Sequence, residues 1–263
     1  MNNQCPECGH PMTQDGVCIA IDDKTAHHVA ALYDNRPQAN LEIETEQYDL
    51  LPGLLAKQDF IWRIRAADVN IVLNRLGDKS QHVLEIGAWN GWLSHHIVKA
   101  GHQLTALGYS AHPVNGLGAK THYSVDWHAI QTDLSNLDIL NEQDFDAVII
   151  NHGLHYFTDP VSYVESVKRF VKPGGQIILL NVIIYPDPSA RIAQIQAQRI
   201  PFEAEHNVPY FLHPTRGYLD QSDQRHLEDM GVKLRPYRHL WRAYLKSRFI
   251  KKAPAYYFGI HRR

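Results

Sequence analysis

The sequence contains few cysteines and no long apolar run, and both absences limit the class of protein. Only three of the 263 residues are cysteine, all within the first 18 positions, an odd and clustered set that does not fit a secreted disulfide framework. No stretch approaches the roughly 18 consecutive apolar residues of a membrane-spanning helix. The N-terminus also lacks the charged-then-apolar pattern of a signal peptide. These absences predict a cytoplasmic protein with no membrane span.

Acidic residues are missing from the C-terminal end of the chain. Residues 233–263 contain ten Lys or Arg and no Asp or Glu, so this tail carries +10 and the preceding residues carry −12. The whole chain, at −2, has no general attraction for nucleic acid or anionic membranes. The tail alone indicates an anionic partner such as RNA. An amphipathic helix that packs on the domain explains the same pattern, with an apolar side formed by Leu240, Trp241, Tyr244, Leu245 and Phe249.

The middle of the chain alternates short apolar runs with helical spacing. Apolar runs lie at residues 83–86, 104–107, 127–130, 147–150 and 176–182, followed by 232–237 and 256–260. Strands that alternate with helices predict a parallel sheet with crossover helices. We therefore expect an α/β domain over residues 79–263.

Two smaller units precede this domain, and one insertion interrupts it. Residues 1–30 read as a loop-rich cysteine knuckle with one strand near 17–21, and residues 31–78 as a helical lead-in. The proline-rich residues 185–215 are too long for an ordinary connection, so we predict an irregular lid over the substrate there. Plain surface packing is the alternative for that segment.

A turn that contains glycines follows the first predicted strand. Gly87 and Gly91 allow a ligand to approach the backbone closely, at a point where a helix start leaves N–H groups without partners. A dinucleotide fingerprint needs glycines two and then three residues apart, and Trp89 stands where a pyrophosphate would need the backbone. The sequence of this turn therefore argues against binding of NAD.

Three segments in register resemble the class I S-adenosylmethionine-dependent methyltransferases. Glu85, Gly87 and Gly91 form the motif acidic-x-Gly-x-x-x-Gly, residues 145–156 resemble the fourth strand with its exit loop, and residues 171–175 resemble the turn before the fifth strand. The resemblance covers about residues 80–182. It implies a doubly wound, Rossmann-like α/β fold, here with a small N-terminal cysteine-knuckle and helical extension, that binds S-adenosylmethionine.

By matching position, the resemblance also implies the residues that hold the cofactor. They are Glu85, Gly87, Ala88, Gly91, Tyr109, Asp133 and Asn151. Glu85 would help to hold the cationic amino group, and Asp133 would accept a hydrogen bond from the adenine amine, with a helix N-cap as the alternative role for Asp133.

One position departs from the family pattern. Gly108 stands where the family usually has an acid that holds both ribose hydroxyls. Stacking of Tyr109 on adenine, another group reaching the ribose, or a modified cofactor would compensate. A non-catalytic binding or regulatory protein that keeps the fold is a further alternative.

The loop after the fourth strand should face the transferred methyl group, because ligands of open α/β sheets lie at the carboxyl ends of the strands. His152 or His155 could take a proton from a nucleophile, and Tyr156 could orient it. Packing or contact with the cofactor is the alternative for each histidine. Methyl transfer depends mainly on in-line positioning, so no fixed catalytic dyad is expected. We expect a small-molecule acceptor, with RNA as the second candidate.

The cysteines predict a structural zinc site. Cys5 and Cys8 lie on one tight turn, and Cys18 could return a third thiolate. Candidates for the fourth ligand are His10, Asp22 and His27, of which Asp22 has the spacing of a second knuckle. A vestigial knuckle without metal is the alternative. The arrangement resembles ribosomal-RNA guanine methyltransferases and also sugar and natural-product methyltransferases with N-terminal zinc units, so it does not identify the acceptor.

Overall fold

The N-terminal segment forms a strand and a helix. The computed structural model of the chain describes residues 4–34, 43–250 and 253–263. Isolated bridges join Gln4 to Pro11 and Met12 to Cys18, and strand β1 (Val17–Ala20) leads into helix α1 (Asp23–Asp34). Asp22 caps this helix, since its Oδ1 accepts a hydrogen bond from the Thr25 amide at 2.7 Å. This helix was not predicted, because the turn residues around the cysteines led residues 1–30 to be taken as one loop-rich unit.

Short helices connect this unit to the sheet. A 3₁₀ turn (Thr45–Leu50) and helix α2 (Gly53–Ala56) precede the longer helix α3 (Phe60–Leu76). Asp59 caps α3 by accepting from the Trp62 amide, and Gly77, at φ +70°, ends it. Both helices lie within residues 31–78, the segment expected to be a helical lead-in.

Five parallel strands form the centre of the sheet. They alternate with helices in the order β2 (His82–Ile86), α4 (Ser94–Lys99), β3 (Gln103–Gly108), β4 (His128–Thr132), β5 (Phe145–Asn151), α5 (Pro160–Val167) and β6 (Val171–Tyr185). The apolar runs predicted as strands lie within or overlap these elements. The chain moves outward from β2 through β3 to β4, then returns to the other side of β2 through β5 and β6.

The C-terminal elements complete one edge of the sheet. They are α6 (Ser189–His206), β7 (Leu219–Asp220), α7 (Gln221–Asp229), β8 (Lys233–Pro236), α8 (Trp241–Phe249) and β9 (Ala255–Arg262). β9 lies antiparallel between β6 and β8, and β7 pairs with the end of β6. Among the described residues the strand order is β1-β4-β3-β2-β5-β6-β9-β8. This is the predicted doubly wound fold, with β1 added beside β4.

Apolar layers cover both faces of the sheet. Alternate residues of each strand point to opposite faces, so Val83 faces the layer of α3 and α4 while Leu84 faces that of α5 and α7. The strand order reverses between β2 and β5, and the carboxyl ends of these two strands mark the expected ligand site. No described helix combines the length and apolarity needed to cross a bilayer.

The segment predicted as an irregular lid is mostly helical. Helix α6 runs for 18 residues through Pro201. Its buried residues, Ile195 and Phe202, are seven positions apart and therefore lie on one face, which holds the helix on the domain. The proline content suggested loop, but burial of this apolar face outweighs the loss of one backbone donor.

Candidate cofactor and substrate site

The turn after β2 lies tightly against β5. Gly87 and Gly91 adopt φ of +88° and +83°, a region that favours glycine. A Cβ on Gly87 would lie 2.8 Å from the carbonyl oxygen of Asn151. The amides of Gly87 and Ala88 both donate to the carbonyl of Leu107 at 2.9 Å. Glycine is therefore needed at position 87 because β5 packs directly against it, and the two N–H groups hold the turn on β3.

Glu85 occupies the interior directly below this turn. Its side chain is fully buried, with Ser94 Oγ donating to one carboxylate oxygen and Asn151 Nδ2 to the other, each at 2.7 Å. Burial raises the pKa of Glu85 to about 7, although both hydrogen bonds favour the charged form. A ligand ammonium nearby would stabilise the carboxylate. The environment therefore fits the role predicted for Glu85.

Two asparagines beside the turn have polar atoms without protein partners. Asn90 is buried, and neither its amide oxygen nor its nitrogen has a hydrogen bond among the described residues. The same holds for Oδ1 of Asn151, whose Nδ2 is bound to Glu85. Buried polar atoms normally find partners. These open atoms fit the polar amino-acid end of S-adenosylmethionine.

Gly108 ends β3, and its surroundings explain why no acid stands there. A Cβ at this position would lie 3.0–3.3 Å from three side-chain carbons of Leu117, which is itself buried. Leu117 thus takes the space that a ribose-binding carboxylate would need. Next to it, Tyr109 is held by a hydrogen bond from Gln131 Nε2 to its carbonyl, at 2.9 Å.

Asp133 follows β4 and contacts two elements. Its Oδ1 accepts a hydrogen bond from the Ser135 amide at 2.9 Å, so it caps a turn, not the helix proposed as its alternative role. His213, from the segment after α6, places Nε2 within 2.8 and 2.9 Å of its two oxygens. The side chain predicted to meet adenine therefore already holds a histidine of the lid segment.

His152 belongs to a closed hydrogen-bond network, not to an open site. Its Nε2 donates to Asp68 Oδ2 at 2.7 Å, and its Nδ1 lies 3.2 Å from Asn181 Nδ2. Tyr237 donates to the other Asp68 oxygen at 2.6 Å and accepts from the Asn181 amide. Burial lowers the pKa of His152, opposed by Asp68. Because protein groups hold both ring nitrogens, this geometry favours a structural role for His152.

Sequence reasoning missed this network. Asp68, Asn181 and Tyr237 come from α3, β6 and the segment after β8, and no motif connects positions so far apart. The one available signal was an aspartate among the apolar residues of the predicted helix, since a buried carboxylate needs partners.

His155 and Tyr156 lie beside the lid. Burial, aided by the positive charge of Arg191, lowers the pKa of His155 to about 4, so its imidazole is neutral at physiological pH. Tyr156 is 42% exposed and contacts Phe211 at a ring distance of 6.2 Å. Tyr156 is therefore accessible beside the segment that follows α6.

A cavity of about 610 Å³ opens at this point. Its walls combine side chains from the strand ends, α1 and the lid, namely Tyr109, Tyr156, Phe202, Tyr210, Phe211, Val29 and Leu32. Glu205 and His213 add polar groups. Apolar walls with few polar groups are typical of small-molecule sites.

The cysteines form a group with a residue that was not predicted. Ligand atoms of Cys5, Cys8, Cys18 and His128 lie within 4.8 Å of one another. Asp22, predicted as the fourth ligand, instead caps α1. The spacing argument favoured a near neighbour in sequence, whereas His128 lies 110 residues beyond Cys18.

The basic tail forms the predicted helix, but only part of it packs. Leu240 is buried and Tyr244 contacts the ring of Tyr257 edge-on, as expected for packing. Trp241 and Phe249 are 54% and 84% exposed. Part of the predicted apolar face therefore packs on the domain, and the rest is exposed to solvent.

Comparison with known proteins agrees with this geometry. Residues 84–179 match the family described as a methyltransferase domain. The chain is 24% identical over 184 residues to the ubiquinone biosynthesis O-methyltransferase of Colwellia psychrerythraea, covering 67% of this chain and 74% of that protein. It is 26% identical over 161 residues to the demethylmenaquinone methyltransferase of Streptomyces avermitilis, covering 60% and 61%.

A solved structure shows the same fold. The phosphoethanolamine N-methyltransferase 2 of Haemonchus contortus, in complex with S-adenosyl-L-methionine, superposes with a TM-score of 0.50 at 14% identity, over 74% of this chain and 51% of that one. The glycine turn, the strand order and the matched family agree. The chain is therefore similar, in the sequence of residues 84–179 and in fold, to class I S-adenosylmethionine-dependent methyltransferases.

Proposed function

We propose that the protein transfers the methyl group of S-adenosylmethionine to a small, ring-bearing apolar molecule held in the cavity below the lid. The observation that carries the proposal is the cavity of about 610 Å³, with aromatic walls, at the carboxyl ends of the strands. Rigid aromatic walls favour a flat, apolar acceptor over a charged one. The names of the quinone-pathway relatives support the same acceptor class.

The residues of the glycine turn would hold the amino-acid end of the cofactor. Gly87, Ala88 and Gly91 shape the turn, Glu85 would provide negative charge, and the amide oxygen of Asn151 has no partner among the described residues. The cofactor supplies an electrophilic methyl group on a sulfonium. Binding between these groups and the cavity would set the line of approach, which is the main requirement of the reaction.

Tyr109 and Asp133 would hold the adenosine end. Tyr109 lines the cavity and offers a ring face for stacking. Asp133 would accept from the adenine amine after releasing His213, which binds it in this conformation. Since Gly108 provides no carboxylate for the ribose, we expect affinity to depend strongly on these two residues.

His155 and Tyr156 are the candidates for contact with the acceptor. A neutral His155 would accept a hydrogen bond from an acceptor hydroxyl and orient its lone pair toward the methyl group. With a pKa of about 4, it is a weak base, so it would position the nucleophile more than it would remove the proton. His152, predicted as the alternative base, has less support because its ring nitrogens are engaged.

The proposal is tested by binding and turnover with the full chain. Calorimetric titration with S-adenosylmethionine should show micromolar affinity that Gly87→Arg abolishes. Gly53→Arg is the control and should keep this affinity, because a Cβ added at Gly53 would meet no described atom within 4 Å. A panel of hydroxylated quinol and catechol compounds with radiolabelled cofactor should then yield a methylated product. Binding without turnover on the panel, together with labelling of total RNA, would overturn the small-molecule proposal in favour of the RNA acceptor predicted from the basic tail.

A further inference from the structure

Four side chains at the N-terminal edge of the sheet surround a point suited to a metal ion. We propose that Cys5, Cys8, Cys18 and His128 bind one structural zinc ion, and that this ion fastens the N-terminal unit to the methyltransferase sheet. The inference is independent of the acceptor, because none of the four residues lines the cavity below the lid.

The distances fit tetrahedral coordination. His128 Nε2 lies 3.4 Å from Cys5 Sγ and 3.5 Å from Cys18 Sγ. With Zn–S near 2.3 Å and Zn–N near 2.05 Å, a tetrahedral ion places sulfur and nitrogen about 3.6 Å apart. Cys8 completes the group within the 4.8 Å span, and all three cysteines are free thiols. The atoms therefore already have nearly the spacing that a shared ion would impose.

The other ring nitrogen of His128 supports the same assignment. Its Nδ1 lies 3.0 Å from Glu7 Oε2. Histidine ligands commonly donate this second N–H to a carboxylate, which fixes the tautomer and leaves Nε2 as the metal donor. Glu7 stands between Cys5 and Cys8 on the same turn, so the turn supplies both ligands and the group that orients the histidine.

The donor set favours zinc in a structural role. Three thiolates and one imidazole form a closed four-coordinate shell typical of structural zinc, without an open position for water or substrate. Cys5 and Cys18 are buried, with exposures of 4% and 1%. A buried, fully coordinated ion stabilises the fold around it instead of taking part in a reaction.

The position of His128 defines what the ion holds together. His128 is the first residue of β4, while Cys18 lies on β1, and these strands pair with Cys18 opposite Ile130. The ion would thus join the two strands at one end of a four-residue pairing. Helix α1 follows β1 directly and contributes Val29 and Leu32 to the cavity wall. Loss of the ion would therefore loosen one wall of the substrate cavity.

Metal analysis of the full chain provides the first test. Protein purified with zinc in the medium should contain about one zinc per chain, and Cys8→Ser and His128→Gln should each lower this content severalfold. Asp22→Asn and His10→Gln are matched controls, since both were candidate fourth ligands from sequence, and both should keep the metal. Zinc-free wild type, or loss of zinc in Asp22→Asn with full retention in His128→Gln, would overturn the assignment.

Cobalt substitution keeps the proposal testable if a variant fails to fold. Wild-type protein loaded with Co²⁺ should show the intense visible bands of a tetrahedral site and thiolate charge-transfer absorption. His128→Cys, which retains four ligands, should increase the charge-transfer intensity by about one third. Weak octahedral bands, or a spectrum that His128→Cys leaves unchanged, would contradict a Cys₃His site.

Hydrogen exchange tests whether the ion holds β1 and α1 on the sheet, separately from whether the protein contains the metal. Removal of zinc by a chelator should raise the exchange rate of the amides in β1 and α1 at least tenfold, while those of β2 and β5 change little. Equal exchange with and without the metal would show that β1 stays in place unaided, and that outcome would refute the fastening role.

Discussion

The imidazole of His213 lies against the carboxylate of Asp133, with Nε2 2.8 Å from one oxygen and 2.9 Å from the other. His213 belongs to the lid segment, whereas Asp133 follows β4 at the proposed adenine site. The contact therefore joins the segment after α6 to the end of β4, through the same carboxylate that we propose for the adenine amine.

His213→Ala should tighten cofactor binding. The adenine amine would no longer compete with the histidine for Asp133, and a partly exposed pair of this kind contributes up to about 1 kcal/mol, or about fivefold in Kd. Calorimetric titration with S-adenosylhomocysteine measures the change, with His226→Ala on the exposed face of α7 as the control. Weaker binding in His213→Ala would instead make His213 part of the bound state.

Glu85→Gln should separate stability from cofactor binding. The folded-state pKa of about 7 lies above the ordinary 4.5, so the folded state binds more protons between these values and stability falls as pH rises through them. The amide of Gln does not ionise, so the variant avoids this loss of stability and should exceed wild type by about 3 kcal/mol at pH 8 but not at pH 4. Urea unfolding at both pH values measures this difference.

The same variant should bind the cofactor at least tenfold more weakly, because the anion facing the ammonium is lost. Glu165→Gln, at an exposed ion pair with Lys168, should change neither property. If Glu85→Gln kept full affinity, Glu85 would have no direct part in holding the cofactor.

Tyr237→Phe should destabilise the fold strongly. The phenol hydroxyl donates to Asp68 and accepts from the Asn181 amide, so its removal leaves a buried carboxylate oxygen and a buried amide without partners, at a cost of about 3 kcal/mol. Tyr163→Phe is the matched control, since it removes a buried hydroxyl with one bond, to the Leu134 carbonyl. Urea midpoints should place the cost of Tyr163→Phe near about 1 kcal/mol, and equal costs for the two variants would argue against the network.

Restoring the family acid at Gly108 should require a second change. Gly108→Asp alone meets Leu117 at 3.0–3.3 Å, so it should lower stability without tightening the cofactor. In a Leu117→Ala background, whose cavity itself costs about 3 kcal/mol, the new carboxylate should reach the ribose and improve Kd about tenfold. Titration of the double variant against Leu117→Ala measures this, and no gain would mean that the ribose lies elsewhere.

Local patterns predicted most of the sheet, because each central strand is a short apolar run between turn residues and needs no long-range information. The helix α6 was missed for the opposite reason. Its prolines are a strong local signal for loop, while the apolar face of Ile195 and Phe202 is stabilised only by residues elsewhere in the chain.

The residues of the candidate site also differ in whether a local pattern could reveal them. Glu85, Gly87 and Gly91 lie within seven residues and were found as a motif. His128, Asp68 and Tyr237 have their roles only because the folded chain brings them to distant partners, and a histidine at the start of a strand carries no local mark of a metal ligand. The spacing of the cysteines therefore predicted Asp22 as the fourth metal ligand, whereas in the structure Asp22 caps helix α1.

Strand β1 also determines which edge of the sheet is exposed to other protein molecules. Without it, β4 would be the outermost strand, and its free N–H and C=O groups would face other chains as a template for pairing. With it, the outermost strand has four residues and runs between a cysteine turn and a helix. The N-terminal unit thus protects the protein from edge-to-edge association, and a truncated chain that begins at residue 43 should aggregate more readily than the full-length protein.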